Sequence, residues 1–358
     1  MFFMGDGCRR VIRYHIQEDM GMYNFNGPRY EKVISDALAM RPQIEKAVDA
    51  ICAEGYSNLF LIGCGGTYAH ALPMQYWLDT SSGIEMHSVI AAEFMLMNHK
   101  RFSKDSVCVF ASRTGNTKEI VAAAKFCKEA GARTVVYVSN DNTPLCEYAD
   151  YKVSSFAEDD HLCEAIYTYT IALIARFRKN AGEFDEYDQF MREYDGIAPY
   201  LVRAKELYED RCREMAASIK GHDYHMVVGS GMLWGEAYDY AMCILEEMLW
   251  LKTKSIHAAE FFHGTLELVE KDTSLLLFFG EDETRPLMDR VLKFANKVSD
   301  VVNVFDTRDV ELPFTRESFR RIVSPMVLYA LTERLSCHLE KERNHPLTTR
   351  RYYRQIEY

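Results

Sequence analysis

Short runs of β-branched, aromatic and leucine residues recur along this chain at strand length. They are Asn58–Ile62 (NLFLI), Met86–Ile90 (MHSVI), Ser106–Ala111 (SVCVFA), Thr134–Val138 (TVVYV), Tyr224–Val228 (YHMVV) and Ser274–Phe279 (SLLLFF). Between them the apolar period changes to that of a helix. Lys118–Glu129, for example, places Ile120, Val121, Ala124 and Cys127 on one face. Strands that alternate with helices in this way predict a mostly parallel sheet covered by helices on both faces. Ahead of the first strand, Val33, Ile34, Ala37, Leu38, Ile44, Val48 and Ile51 predict an amphipathic helix or a pair of them. From about Ala165 to Lys220 the pattern is again helical, with no proline between Cys146 and Pro199, so a helical connection is expected there.

The pattern repeats. Gly63-Cys64-Gly65 after the first strand has a counterpart in Gly229-Ser230-Gly231, and Ala91-Ala92-Glu93-Phe94 recurs as Ala258-Ala259-Glu260-Phe261. The strand around Phe110 has its counterpart around Phe278. Gly63 and Gly229, Glu93 and Glu260, and Phe110 and Phe278 stand 166, 167 and 168 residues apart. One offset shared by three landmarks implies a tandem duplication of a doubly wound, mostly parallel α/β sandwich. The expected division is a helical segment over 1–54, a first α/β unit with its helical connection over 55–200, and a second unit with a C-terminal tail over 201–358.

Length and composition agree with two ordinary globular domains: 358 residues, 48% hydrophobic and 27% charged. A net charge of −11 argues against nucleic acid or an anionic membrane as partner. No apolar run approaches the roughly 20 residues of a membrane helix, and the opening MFFMGDGCRR lacks the order of a secretory signal. A cytoplasmic protein is expected. The ten cysteines, from Cys8 to Cys337, include no CxxC pair. They read as reduced packing residues, and no metal or other cofactor is expected.

Ser112-Arg113-Thr114-Gly115-Asn116-Thr117 joins a buried-type strand to a helix. Its hydroxyls, backbone N–H groups and helix dipole are what a phosphate monoester requires, and Arg113 adds a charge-assisted donor. Gly63–Thr67 supplies a second such turn, with Gly66 and Thr67 facing the same strand ends. An ordinary N-cap accounts for any one such turn; two converging turns favour a phosphate site at Gly66, Thr67, Ser112, Arg113, Thr114 and Thr117. The corresponding segment of the second unit, Gly280-Glu281-Asp282-Glu283-Thr284-Arg285, is acidic, so one phosphate site per chain is expected.

These turns and the AAEF repeat resemble the sugar isomerase (SIS) domain family in its double-domain form. Glu247-Met248-Leu249-Trp250, Glu260-Phe261-Phe262-His263-Gly264 and the tail His345-Pro346-Leu347-Thr348-Thr349-Arg350-Arg351-Tyr352 further resemble the fructosamine-6-phosphate deglycases. The likeness covers nearly the whole chain after about residue 25. It implies cleavage of a phosphorylated sugar–amino-acid conjugate to a hexose 6-phosphate and a free amino acid. It also implies that Glu247 and His263, sixteen residues apart as in that family, carry the proton transfers, and that a homodimer shares its active sites. Taken alone, Glu247 is equally a solvent-facing helix residue and His263 a turn residue. The related glucosamine-6-phosphate synthases carry a glutaminase domain with an N-terminal cysteine and a tail lysine. This chain opens Met1-Phe2-Phe3 and ends RRYYRQIEY, so synthase activity is not expected. Arg350 and Arg351 are candidates for the amino-acid side of the substrate, with the tail folded over the cleft. An aldose–ketose isomerase or amino-sugar phosphate deaminase would use the same groups, and a phosphosugar-sensing module would use the cradle without the acid–base pair.

Overall fold

The computed structural model describes residues 21–156 and 162–357. Two helices, Gly27–Leu38 and Arg41–Glu54, precede the first strand. Asn26 caps the first of them through its side chain, which accepts from the Arg29 N–H at 3.0 Å.

The first sheet contains β1 (Leu59–Gly63), β2 (Met86–Ile90), β3 (Val107–Ser112), β4 (Arg133–Val138) and β5 (Tyr151–Ser154). The second contains β6 (Tyr224–Gly229), β7 (Lys252–His257), β8 (Ser274–Phe279) and β9 (Val302–Asp306). Their orders are β2-β1-β3-β4-β5 and β7-β6-β8-β9, and every pairing is parallel. The second order repeats the first four places of the other sheet, which is the topology a duplication requires. In each sheet the strand order reverses once, between β1 and β3 and between β6 and β8. Crevices at the carboxyl ends of such strand pairs are where doubly wound folds bind ligands.

Burial explains why the strands read as continuous apolar runs. Leu59 and Leu61 of β1 face a central core, whereas Phe60 and Ile62 face a separate outer one. The central core is shared. It takes Val109 and Val135 from the first sheet and Val227, Leu276 and Phe278 from the second. The same core takes in residues of the helices Leu162–Asn180, Tyr187–Tyr194, Ala198–Ile219 and Glu317–Arg343. The first three fill the span expected to be a helical connection. Among the described residues no helix is long and apolar enough to cross a membrane.

Cys108, Cys127, Cys212 and Cys337 are buried, whereas Cys52, Cys64, Cys146 and Cys243 are half-buried; Cys8 and the side chain of Cys163 lie outside what is described. Burial, with the charge of Glu119, pushes the Cys64 thiol up to about 11, away from nucleophilic reactivity.

Candidate active site

The two hydroxyl-bearing turns leave neighbouring strands at the point where the first sheet's order reverses. In the Gly63–Thr67 turn, Gly65 takes φ 54°, a left-handed conformation that favours glycine. The Thr67 hydroxyl closes this turn, accepting from the Cys64 N–H at 3.1 Å and donating to the Cys64 carbonyl at 3.0 Å. In the second turn the buried Ser112 hydroxyl accepts from the Gly115 N–H at 3.1 Å. Thr114 donates to Asn116 Oδ1 at 2.6 Å. Thr117 is the N-cap of the helix Lys118–Glu129 but makes no side-chain capping bond. Arg113 is exposed, and its carbonyl accepts from the Ser139 N–H and hydroxyl at 3.4 and 2.5 Å. Thr67 and Ser112 thus set the backbone shape of their turns, while Thr114 stands half-buried at the surface of its own.

Glu247 reaches this place from the other unit. A helical rod follows β6: Gly231–Leu233, then Trp234–Asp239, then a π-helical stretch over Tyr240–Glu246. One of its faces lies along the Gly63–Thr67 turn. A Cβ on Gly235 would overlap the Ala69 carbonyl oxygen. Asp239 Oδ1 lies 2.8 Å from the position a Cβ on Gly66 would take, and Cys243 Sγ lies 3.5 Å from that of Gly65. Glu247 comes four residues further on, with its N–H on the Met242 carbonyl at 3.1 Å, an i−5 bond. Asp239 and Cys243 thus lie against the turn and the widened stretch leads on to Glu247; π-helical turns are frequent at functional sites.

Asp239 and His70 form a buried pair. Asp239 Oδ2 lies 3.8 Å from His70 Nε2, and both side chains are almost wholly buried. Burial lowers His70 to about 3. Burial also pushes Asp239 up to about 7, opposed by a hydrogen bond from Cys243 and assisted by the charge of Glu247. Next to them the Tyr167 hydroxyl donates to Glu236, and the Tyr167 ring lies 4.8 Å from that of His70.

The tail completes the arrangement. Arg350 Nε lies 3.2 Å from Glu247 Oε1, and its Nη1 donates to the Leu347 and Thr349 carbonyls at 2.7 and 3.0 Å. Arg351 stacks 4.1 Å over the ring of Trp250, a residue held at φ 56°. Arg354 Nη2 donates to Asn116 Oδ1 at 3.0 Å, the same oxygen that accepts from Thr114. The tail therefore spans from Glu247 on the second unit to the Ser112–Thr117 turn on the first. A cleft of about 550 Å³ opens between Glu247, Trp250, Arg350 and Tyr352.

His263 lies on the other side of β7 in the chain: Glu247 precedes that strand and His263 follows it. His263 is exposed, in a turn whose N–H bonds the Glu260 carbonyl at 3.0 Å.

The residues that sequence reading passed over are Asp239, His70 and Arg354. A signal existed for one of them: Arg354 is the third arginine of the RRYYR tail. Among the described residues no group of three or more His, Cys, Asp or Glu side chains is placed to hold a metal ion.

Residues 55–177 match the SIS domain family. Fructosamine deglycase of Bacillus subtilis (strain 168) is 29% identical over 307 residues, covering 84% of this chain and 92% of that protein. Fructoselysine 6-phosphate deglycase of Escherichia coli (strain K12) is 23% identical over 326 residues, covering 90% of this chain and 92% of that protein. A solved structure of a Bacillus subtilis protein described as a phosphosugar isomerase superposes with a TM-score of 0.84 at 28% identity, over 90% of this chain and 100% of that one. The first α/β unit thus matches the SIS domain family, and the whole two-unit chain is similar in sequence to fructosamine and fructoselysine 6-phosphate deglycases and in fold to a protein described as a phosphosugar isomerase.

Proposed function

We propose that this protein is a phosphosugar deglycase, which cleaves a sugar–amino-acid 6-phosphate conjugate to a hexose 6-phosphate and a free amino acid. The observation that carries this reading is the contact of the rod that leads to Glu247 with the Gly63–Thr67 turn, through Asp239 and Cys243, together with Arg350 of the tail upon Glu247. The phosphate lies among the N–H groups and hydroxyls of the first unit, which leaves the sugar's reacting end towards Glu247.

In the open-chain ketosamine, the Glu247 carboxylate removes a proton from C1 while O2 gains one, giving an enaminol. Return of a proton to C2 leaves a C1=N imine. Water then adds at C1, the C–N bond breaks, and the electron pair leaves on the protonated amine. Carboxylate and imidazole are suited to these transfers. His263 serves ring opening from a second copy of the chain, because within one chain it is exposed and lies beyond the far end of β7. Arg350 exchanges Glu247 for the substrate's α-carboxylate. Their ion pair is partly exposed, and pairs of that kind are worth only roughly 0–1 kcal/mol. A fixed guanidinium fork matches the incoming carboxylate.

The test is Glu247→Gln assayed on synthetic fructosamine 6-phosphates. Release of amino acid, followed by mass spectrometry, should fall about 10²–10⁴-fold while sugar-phosphate binding persists. Unchanged release would remove Glu247 from the mechanism. Sugar phosphate interconverted without amine release would favour an isomerase.

A further inference from the structure

The second unit repeats the turn geometry of the first and then fills it with its own side chain. Gly65 and Gly231 occupy equivalent places after β1 and β6, and both are left-handed, at φ 54° and 52°. In the second unit the N–H of Met232, which follows Gly231 as Gly66 follows Gly65, donates to Asp282 Oδ2 at 3.0 Å. Asp282 Oδ1 accepts from the Thr284 N–H at 2.8 Å and from the Thr284 hydroxyl at 2.5 Å. The Ser230 and Thr284 hydroxyls lie 2.8 Å apart, which joins the two turns directly. Asp282 is 6% exposed, and a Cβ on Gly231 would overlap its carboxylate. Backbone amide at the start of a helical rod, hydroxyl at the start of a second helix and an anion between them are the parts of a phosphate site. Here the anion is covalently part of the chain. Asp282 also stands 168 residues after Thr114, on the same turn of the repeat.

We propose that Asp282 is a built-in anion that occupies the second unit's cradle as the substrate phosphate occupies the first, and that it thereby positions Glu247. The rod that begins at Gly231 runs unbroken to Glu246, about 24 Å at helical rise. Asp282 fastens its start. Close contacts of Gly235, Asp239 and Cys243 with the first unit then carry that register to Glu247. Asp282 touches no reacting atom in this scheme; it is a positioning residue. The correspondence with phosphate rests on reading the first cradle as the phosphate site, whereas the positioning role does not.

The experiment is Asp282→Ala, with steady-state kinetics on a fructosamine 6-phosphate in the presence and absence of sodium formate, the carboxylate that the substitution removes. kcat should fall roughly tenfold or more, the scale of a lost bond to a charged group, with KM little changed. Formate should restore kcat in the variant and leave the wild type unaffected, while chloride at equal ionic strength restores nothing. Asp282→Asn, which keeps the side-chain shape and so leaves no space for formate, carries the kcat and KM part of the test if the alanine variant does not fold. Wild-type kcat in both variants would overturn the proposal. So would a loss in an alanine variant that melts as wild type and does not respond to formate. Thr114→Asp, which places a carboxylate at the equivalent point of the first unit, should abolish sugar-phosphate binding. Undiminished binding there would overturn the correspondence between the cradles and the first-cradle reading with it, whereas the formate result bears on Asp282 alone.

Discussion

Replacing His70 by phenylalanine and, in a separate protein, Asp239 by asparagine should reveal two opposed pH dependences of stability that cancel in the wild type. The two side chains are buried against each other at 3.8 Å, too far for a hydrogen bond. Burial lowers the histidine from 6.5 to about 3 and raises the aspartic acid from 3.8 to about 7. In the folded protein the pair is therefore uncharged over much of the range from about pH 4 to 6.5, whereas in the unfolded chain both groups are ionised there. The depressed histidine contributes stability that is present above pH 6.5 and is lost as pH falls towards 3. The raised aspartic acid contributes stability that is present below about pH 4 and is lost as pH rises through 7.

Each proton difference changes stability by about 1.4 kcal/mol per pH unit, so over some three units each group accounts for on the order of 4 kcal/mol, with opposite sign. Urea unfolding at fixed protein concentration across this window measures the result. The stability of His70→Phe minus that of wild type should fall as pH rises from about 4 to 6.5, and the same difference for Asp239→Asn should rise. Two flat difference profiles would refute the argument, because they would mean that neither group differs in protonation between the folded and unfolded states.

The remaining expectations concern the cradle, the tail and the assembly. Ser112→Ala together with Thr114→Val should raise KM for sugar 6-phosphates by roughly tenfold or more with a smaller loss in kcat; a double variant that binds sugar phosphate like wild type would contradict the site. Deleting residues from Arg350 onward removes the contacts to Glu247 and Asn116. It should abolish amino-acid release while leaving a folded protein with undiminished affinity for simple hexose 6-phosphates, whereas full activity would exclude the tail from the site. Mixing Glu247→Gln and His263→Ala proteins under subunit exchange should restore part of the activity, since one mixed site is intact; no recovery despite proven exchange would place both groups in one chain's site.

The strands were legible because both faces are buried. NLFLI, SVCVFA and SLLLFF each serve one shared and one outer core, so each is a continuous apolar run bounded by a turn, and their boundaries in the structure lie within a residue of the sequence reading. β7, by contrast, reads KTKSIH and gave no such signal. It is an edge strand, paired only to β6, and four of its six residues are lysine, threonine or serine. The hydroxyl-rich turns were legible from composition, but the use of their hydroxyls was not. Thr67 and Ser112 bond to their own turns because a tight backbone loop must satisfy its amides locally, and only coordinates show which hydroxyl does so. Asp239 was hidden for a different reason. Its importance comes from contact with Gly66, 173 residues earlier, and with His70, and no local period reports a partner in the other unit.

In the proposed reading the duplication assigns different chemistry to equivalent segments, and the packing gives a reason for both copies. After β1 the chain turns through Gly65 into the helix Gly66–Ala69; after β6 it turns through Gly231 into the rod that ends at Glu246. These equivalent segments meet, Gly235 against Ala69 and Asp239 against Gly66, so the start of one SIS-type turn is covered by the helix of the other. A cradle for a phosphate dianion has to be rich in N–H and hydroxyl donors and poor in carboxylates close by, because like charges disfavour the dianion. The base proposed here is a carboxylate, which would oppose the dianion if it stood on the same short turn. With two units in contact, the first retains the N–H and hydroxyl donors of its two turns around its crevice. The second closes its own crevice with Asp282 and presents Glu247 from the far end of the same rod.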